Sequence, residues 1–228
     1  MRFYKDFKEA LSEIKRDLAE MGIEVHPKTY QDKYIADDPD YATLELQNYV
    51  YTVLHPNPDD LNPVQPWADM EFEERVAGSK GMYFNPGNAW KERSDVWEQF
   101  LESDGRFAYT YSERMAHQLD IITEEAKDNP DSRQLYIGIW DPNKDIHRLG
   151  GLSRVPCSLG YLFQIRGGIL NMTYFMRSMD YVTHMENDMY LGHMFQRWMA
   201  TRIGVPIGRF THFVASLHIF KKDVKGVF

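Results

Sequence analysis

Cysteine is almost missing from this 228-residue sequence: Cys157 stands alone. A single thiol closes no intramolecular disulfide and supplies no cysteine cluster for zinc, so a reducing cytoplasmic setting is expected and Cys157 is either an inert core residue or a reactive one. Basic charge is short as well, with 26 Lys and Arg against 34 Asp and Glu and a formal charge of −8. Without a broad basic surface to neutralise phosphates, a nucleic-acid polymer is not the expected partner, although a few converging guanidinium groups can still hold one small anion. No apolar run approaches the roughly eighteen residues of a membrane span, and the charged amino terminus MRFYKDFKEALSEIK lacks the apolar centre of a signal peptide. Neither membrane insertion nor export is expected. Phosphate-binding glycine loops of the dinucleotide and Walker types are also absent, so any phosphate must be held by side chains.

The patterns that are present describe an α+β chain. Phe7, Leu11, Ile14, Leu18 and Met21 recur at three- and four-residue steps, which predicts a surface helix over Asp6 to Met21 with Gly22 as its stop. A short strand and a polar loop follow to Asp40, and Tyr41 to Leu54 reads as a second helix that carries Glu45. Four prolines within the thirteen residues HPNPDDLNPVQPW exclude helix there and predict a long loop within one domain. A further helix is expected over Ser112 to Lys127, with Ile121, Ile122 and Ala126 turned inward. The aromatic and β-branched runs LYIGIW, GYLFQIRGG, ILNMTYFM and FTHFVASLHIF read as strands, Gly167-Gly168 as a hairpin turn, and Glu186 to Ile203 as the long helix of this half. Together they predict a single domain over residues 1–228, with helices on one side of a mixed or antiparallel sheet.

Several chemical motifs are weighed on these elements. His184, His193, His212 and His218 have no zinc-site spacing, and no metal site is expected. Asp141, Asn143 and Asp145 imitate the start of a calcium loop, but Ile146 and Leu152 occupy the positions that need Gly and Glu. Asn171-Met172-Thr173 fits a glycosylation triplet inside an expected buried strand. Cys157 lies where a loop meets a strand in GGLSRVPCSLGYLF, with Arg154 before it and Arg177 beyond, and nearby guanidinium charge lowers a thiol pKa. Arg133 and Arg177 each adjoin a serine, Ser132 and Ser178, an arrangement suited to phosphate oxygens.

Taken in order, Asn129-Pro130-Asp131-Ser132-Arg133, Pro156-Cys157, Arg177-Ser178-Met179-Asp180 with Asp188 eight residues on, and HFVASLHIF resemble the thymidylate synthase superfamily, and within it the phage-type deoxycytidylate hydroxymethylases, over roughly residues 40 to 221. The resemblance implies a mixed β-sheet covered by helices on one face, with the other face packed against a second copy in a homodimer. It implies that Cys157 attacks C6 of a pyrimidine nucleoside monophosphate and that Glu45 is the general acid/base. It makes Arg177 and Ser178 phosphate ligands, with Arg133 supplied in trans by the second copy. His218, Ser216 and Lys28 join the substrate site, while Asp180 and Trp90 hold the cosubstrate, 5,10-methylenetetrahydrofolate. Thiolate addition at C6 turns C5 into an enamine-like carbon able to attack the one-carbon unit; hydride then gives a methyl group and water a hydroxymethyl group.

Base choice falls on Asp188, where thymidylate synthases carry Asn. A carboxyl group matches the cytosine edge, whose 4-amine donates and whose N3 accepts a shared proton, and leaves uracil O4 facing an acceptor. A one-residue slip would make Asn187 the equivalent instead. Ser158, after the nucleophile, supports the cytidylate branch, because synthases usually have His there. The sequence departs from the family at Gln134, Met176, Phe220 and Pro86, and its end at Phe228 suggests no closing tail, which would favour hydration. The expected activity is folate-dependent 5-hydroxymethylation of dCMP or CMP. Two alternatives stay open: a thymidylate synthase, dUMP hydroxymethylase or dCMP methyltransferase, and a non-catalytic nucleotide- or RNA-binding relative.

Overall fold

The first helix begins where Asp6 accepts a hydrogen bond from the Glu9 N–H at 2.9 Å, a side-chain cap that satisfies one of the open N–H groups of the first turn. In the computed structural model, which describes residues 1–30, 33–149 and 154–228, this helix is α1 (Phe7–Met21). Phe7, Ala10, Ile14 and Leu18 are its buried stripe, and each large side chain contributes about 1.5–3 kcal/mol by leaving water. Before and after it lie the short strands β1 (Arg2–Tyr4) and β2 (Ile23–Val25), then the two-residue strands β3 (Thr29–Tyr30) and β4 (Lys33–Tyr34). The long strand β5 (Thr43–Val53) leads through a loop to α2 (Trp67–Val76), and α3 (Ser94–Trp97), α4 (Tyr111–Met115) and α5 (Leu119–Asp128) follow. The second half holds β6 (Tyr136–Gly138), α6 (Pro142–Asp145), β7 (Ser158–Arg166), β8 (Ile169–Met176), β9 (Met179–Asp180), α7 (Met185–Ile203), β10 (Ile207–Phe220) and α8 (Lys221–Val227).

The strands form one mixed sheet in the order β1-β5-β10-β8-β7-β6, with β2 also on β5 and β9 on β10. β10 is antiparallel to β5 and parallel to β8, while β7 and β8 form a hairpin through Gly167 and Gly168. Both turn glycines have positive φ, 58° and 73°, a conformation that side-chain-bearing residues resist. One face of the sheet is buried beneath helices: Tyr51, Tyr161, Phe163, Tyr174 and Phe210 are fully enclosed and pack with α1 and α7 into a contiguous core. On α7 the inward residues are Met185, Met189, Phe195 and Met199. The opposite face carries half-buried Leu162, Thr173, Phe175, Thr211 and Phe213.

Three expectations are corrected. The stretch expected to be helical from Tyr41 to Leu54 is strand β5, so Glu45 lies on a strand. Leu46, Tyr49, Val50 and Val53 have helix-like spacing because the buried alternation changes phase at Asn48, whose φ is 49°; β10 changes phase opposite it, from Val214 to Leu217. Pairing along both edges of a central strand outweighs the local pattern. The helix expected over Ser112 to Lys127 is divided into α4 and α5, and Ile121 points outward at 67% exposure, leaving Leu119, Thr123 and Ala126 as the inward residues. The break lies at Ala116, whose Cα would sit 2.3 Å from a Cβ on Gly78, so α4 and the turn after α2 pack backbone to backbone. The proline-rich stretch is a loop, as expected, apart from a 3-10 turn at Pro58–Asp60 and the start of α2 at Trp67.

The residues of the calcium-like and glycosylation-like motifs have structural partners, and Leu152 lies outside the described residues. Asp141 caps α6, and Asp145 is buried against Arg114 at 2.8 Å. Asn171 lies in β8 and accepts from the Arg209 N–H at 2.9 Å. Among the described residues no cluster of His, Cys, Asp and Glu suits a metal ion, and no helix is long and apolar enough to cross a membrane.

Candidate active site

The open end of the β7–β8 hairpin brings Cys157 and Arg177 together. Cys157 immediately precedes β7 and Arg177 immediately follows β8, and the Arg177 N–H donates to the Cys157 carbonyl at 2.8 Å. Ser216 of β10 locks on by donating its N–H to the Arg177 carbonyl at 3.1 Å. Two residues on, His218 pairs with Glu45 of β5 on one side and Asp180 of β9 on the other. Sheet register alone thus sets Asp180, His218 and Glu45 in a row beside Cys157. They line a cavity of about 450 Å3 that Ser178, Asp188 and Trp90 also border.

The Arg177 guanidinium is braced by the chain it faces. Its Nε donates to the Pro156 carbonyl at 2.8 Å and its Nη2 to the Val155 carbonyl at 3.1 Å, with Nη2 also 3.8 Å from Cys157 Sγ. Burial pushes the Cys157 thiol above its ordinary value, Arg177 and Arg154 pull it down, and Asp188 adds to the rise. The net direction is upward. The expectation that neighbouring guanidinium groups lower this pKa is therefore corrected: they offset desolvation without overcoming it, because a thiolate away from water loses more than two partly shared charges return.

Asp188 sits in the first turn of α7 and borders the cavity. Burial raises its carboxyl to about 7, against the smaller opposing pull of Arg75 and Arg93, with Glu71 adding to the rise. Asn187 points elsewhere: its Oδ1 accepts from the Val64 N–H at 2.8 Å, its amide nitrogen donates to the Thr183 carbonyl at 3.2 Å, and it is buried. Asn187 thus ties the proline-rich loop to α7, and Asp188 is the one of the two that borders the cavity. Ser158 is fully buried, with its N–H donating to the Tyr111 hydroxyl at 3.2 Å and its Oγ 2.5 Å from the Tyr174 hydroxyl.

The helical wall is built from rings and guanidinium groups. Arg154 lies 4.2 Å over Trp97 and 5.3 Å over Tyr109, Arg93 lies 4.8 Å over Trp67, and Arg75 lies 4.6 Å over Tyr111. Trp67 and Trp97 stack at 6.4 Å. Among the described residues the indole N–H groups of Trp90 and Trp97, the Tyr109 hydroxyl and Asp180 Oδ2 are buried without a hydrogen-bond partner, and all four residues border the cavity. A buried polar atom left unpaired costs about 1–3 kcal/mol.

Comparison with known proteins joins these features. The profile of the family described as "Thymidylate synthase" matches residues 80–228. A protein of Methanothermobacter thermautotrophicus named "Putative thymidylate synthase" is 30% identical over 200 residues, 84% of this chain and 84% of its own. The chain belongs to the thymidylate synthase family. A "Thymidylate synthase" of Clostridium beijerinckii is 21% identical over 87% of this chain and 80% of its own. The structure of the thermostable thymidylate synthase A from Bacillus subtilis superposes with a TM-score of 0.77 at 17% identity, covering 97% of this chain and 82% of that one, a likeness of fold. Membership makes the protein a folate-dependent one-carbon transferase acting on a pyrimidine nucleotide.

Within the thymidylate synthase fold, the sequence-derived residues separate into two groups. Cys157, Glu45, Asp188, Arg177, Ser178, His218, Ser216, Asp180 and Trp90 all border the cavity. Lys28 does not, although Val25, Pro27 and Thr29 around it do; Lys28 is exposed, with its carbonyl accepting from the Ile35 N–H. Arg133 is exposed and also lies outside this cavity. Glu45 is engaged by Ser216, whose hydroxyl donates to it at 2.5 Å. Sequence reasoning missed Glu71 and Arg75 of α2, joined at 2.9 Å, and His184, whose imidazole burial drives down to about 4. The run EFEERV has no motif to betray it; only the docking of α2 on α7 brings those side chains to the pocket. For a folate cosubstrate the residues present fit: the unpaired Asp180 Oδ2 suits the N–H donors of a pterin, and Trp90 offers a ring and a free N–H.

Proposed function

We propose that this protein hydroxymethylates C5 of a cytidine monophosphate, dCMP or CMP, with Cys157 as nucleophile. The observation that carries the reading is Asp188 bordering the cavity while the neighbouring Asn187 spends its amide on Val64 and Thr183. Cytosine presents a donor and a basic N3, and a carboxyl group near neutral pKa satisfies both by sharing one proton. Uracil presents an acceptor and a donor, for which the amide of Asn is the better match.

In this reading Arg177 and Ser178 hold the phosphate, Arg133 of a second copy completes that site, and His218 and Ser216 contact the sugar. Lys28, exposed beside the cavity mouth, serves an incoming nucleotide. Asp180 and Trp90 seat methylenetetrahydrofolate, which when bound supplies the one-carbon unit. Cys157 Sγ adds to C6, C5 takes the one-carbon unit as its bond to the folate nitrogen breaks and the C5 proton is lost, and water added to the exocyclic methylene that results gives the hydroxymethyl group as Cys157 leaves. Glu45, engaged by Ser216 and coupled to His218, orders water on the sugar side, while Glu71, coupled to Asp188, moves protons at the base edge. The half-buried face with Phe175 and Phe213 is the surface for a second copy.

A methylating activity on uridylate is the second reading, favoured by the names of the relatives. Incubation with methylenetetrahydrofolate and, separately, dCMP, CMP and dUMP decides by product mass. A gain of CH2O on a cytidylate is expected; a gain of CH2, or turnover of dUMP alone, overturns the proposal.

A further inference from the structure

Arg75 is 7% exposed, yet no step above uses its charge. Its Nε donates to Glu71 at 2.9 Å, and its guanidinium covers the Tyr111 ring, whose hydroxyl accepts from the N–H next to the nucleophile. Arg75 and Asp188 border the same cavity. Both act on the buried phenols of Tyr161 and Tyr174, and Arg75 is the strongest cation acting on Asp188. A guanidinium cannot shed its proton, so burial obliges it to find negative charge. Glu71 supplies one carboxylate, and Asp188, on the helix α7 that α2 packs against and bordering the same cavity, is a second acid facing that space.

We infer that Arg75 is a specificity-determining positioning residue, which stabilises Asp188 as a carboxylate and thereby makes that carboxyl select cytosine over uracil. The inference rests on Asp188 being the base reader. A neutral carboxylic acid pairs with either base, since it donates to N3 of cytosine and accepts from the 4-amine, or donates to O4 of uracil and accepts from N3–H. Only cytosine has a ring nitrogen basic enough to take the proton and leave the carboxylate behind. A cation bordering the same cavity stabilises that charge-separated pair and has no counterpart with uracil. Selectivity therefore depends on Arg75 as well as on Asp188. The other groups acting on Asp188 are Glu71 from α2, Arg93 from the turn before α3, Tyr51 from β5, Tyr161 from β7, Tyr174 from β8 and Cys157.

The test compares kcat/KM for dCMP and dUMP in Arg75→Gln, Asp188→Asn and the double variant. Arg75→Gln is expected to lower the dCMP:dUMP ratio by about tenfold, the equivalent of one unit of proton affinity, and Arg75→Lys to restore part of it. In the Asp188→Asn background the same change is expected to move the ratio less than about twofold, as coupled residues do. Equal losses on both nucleotides would make Arg75 structural and overturn the inference. If Asp188→Asn itself leaves the ratio unchanged, the base-reader assignment falls; if it shifts the ratio and Arg75→Gln does not, only the role of Arg75 falls. Should Arg75→Gln fail to fold, carbon-13 NMR of the Asp188 carboxyl in the unaltered protein decides: an ionised carboxyl with dCMP and a protonated one with dUMP is expected, and the same state in both complexes refutes it.

Discussion

On the sheet side of the cavity, Cys157, Arg177, Ser216, His218, Glu45 and Asp180 are placed by backbone hydrogen bonds and strand register, whereas on the helical side Arg75, Arg93 and Arg154 are placed by stacking on Tyr111, Trp67 and Trp97. Register sets positions to within the tolerance of a hydrogen bond, which suits bond-making chemistry. Stacked guanidinium groups keep their charge and tolerate sliding over a ring, which suits holding and discriminating a planar ligand. The two walls are therefore built differently and, under the proposed function, divide the labour: the register-fixed side would carry bond-making and the ring-stacked charges selection.

The largest break in that division should come from the sheet side. Cys157→Ala is expected to reduce turnover by at least ~10⁴-fold, on the scale of losing a covalent nucleophile, with the fold retained; steady-state assay with circular dichroism checks both. Arg177→Gln should follow, costing about 2–5 kcal/mol of nucleotide binding. Because Arg177 offsets the burial that raises the Cys157 pKa, its removal should also move the alkaline-rising limb of thiol alkylation to higher pH; an unmoved limb would detach Arg177 from the thiol.

Asp188, at the join of the two walls, gives an intermediate effect with a definite sign. Its carboxyl is raised from an ordinary 3.8 to about 7, so the folded, ligand-free protein favours the neutral form, and the stability present below pH 4 is lost as pH rises through 7. Asp188→Asn removes that loss. It should stabilise the free protein at pH 8 by up to ~4 kcal/mol and leave pH 4 stability nearly unchanged, as thermal melts at the two pH values will register. The smallest effect belongs to the helical wall: Trp97→Ala, which strips one ring from Arg154, should raise KM for the folate by roughly 3- to 30-fold and lower kcat less. A kcat loss as large as that of Arg177→Gln would erase the distinction between the walls.

Much of the sheet wall was legible in the chain, because residues such as Cys157, Arg177 and His218 lie in or beside strands with strong β-branched and aromatic patterns and short motifs. Glu45 was found for the pocket but on the wrong kind of element, since the phase change at Asn48 gives β5 a helix-like spacing. The helical wall was mostly illegible. Glu71 and Arg75 look like an ordinary solvated i, i+4 pair, and nothing local distinguishes them from Glu13 and Arg16, an i, i+3 pair on the surface.

By itself the sequence determined the hairpin at Gly167-Gly168, the long helix α7 and the α+β character, because turn chemistry and periodicity are local properties. Only the tertiary structure decided that Asp188 rather than Asn187 meets the cavity, that burial raises the Cys157 pKa despite two guanidinium groups, and that α2 brings Arg75 to the cavity that Asp188 borders. Direction of a side chain, loss of water and charge brought from a distant segment are all consequences of packing, and packing exists only once the chain has closed on itself.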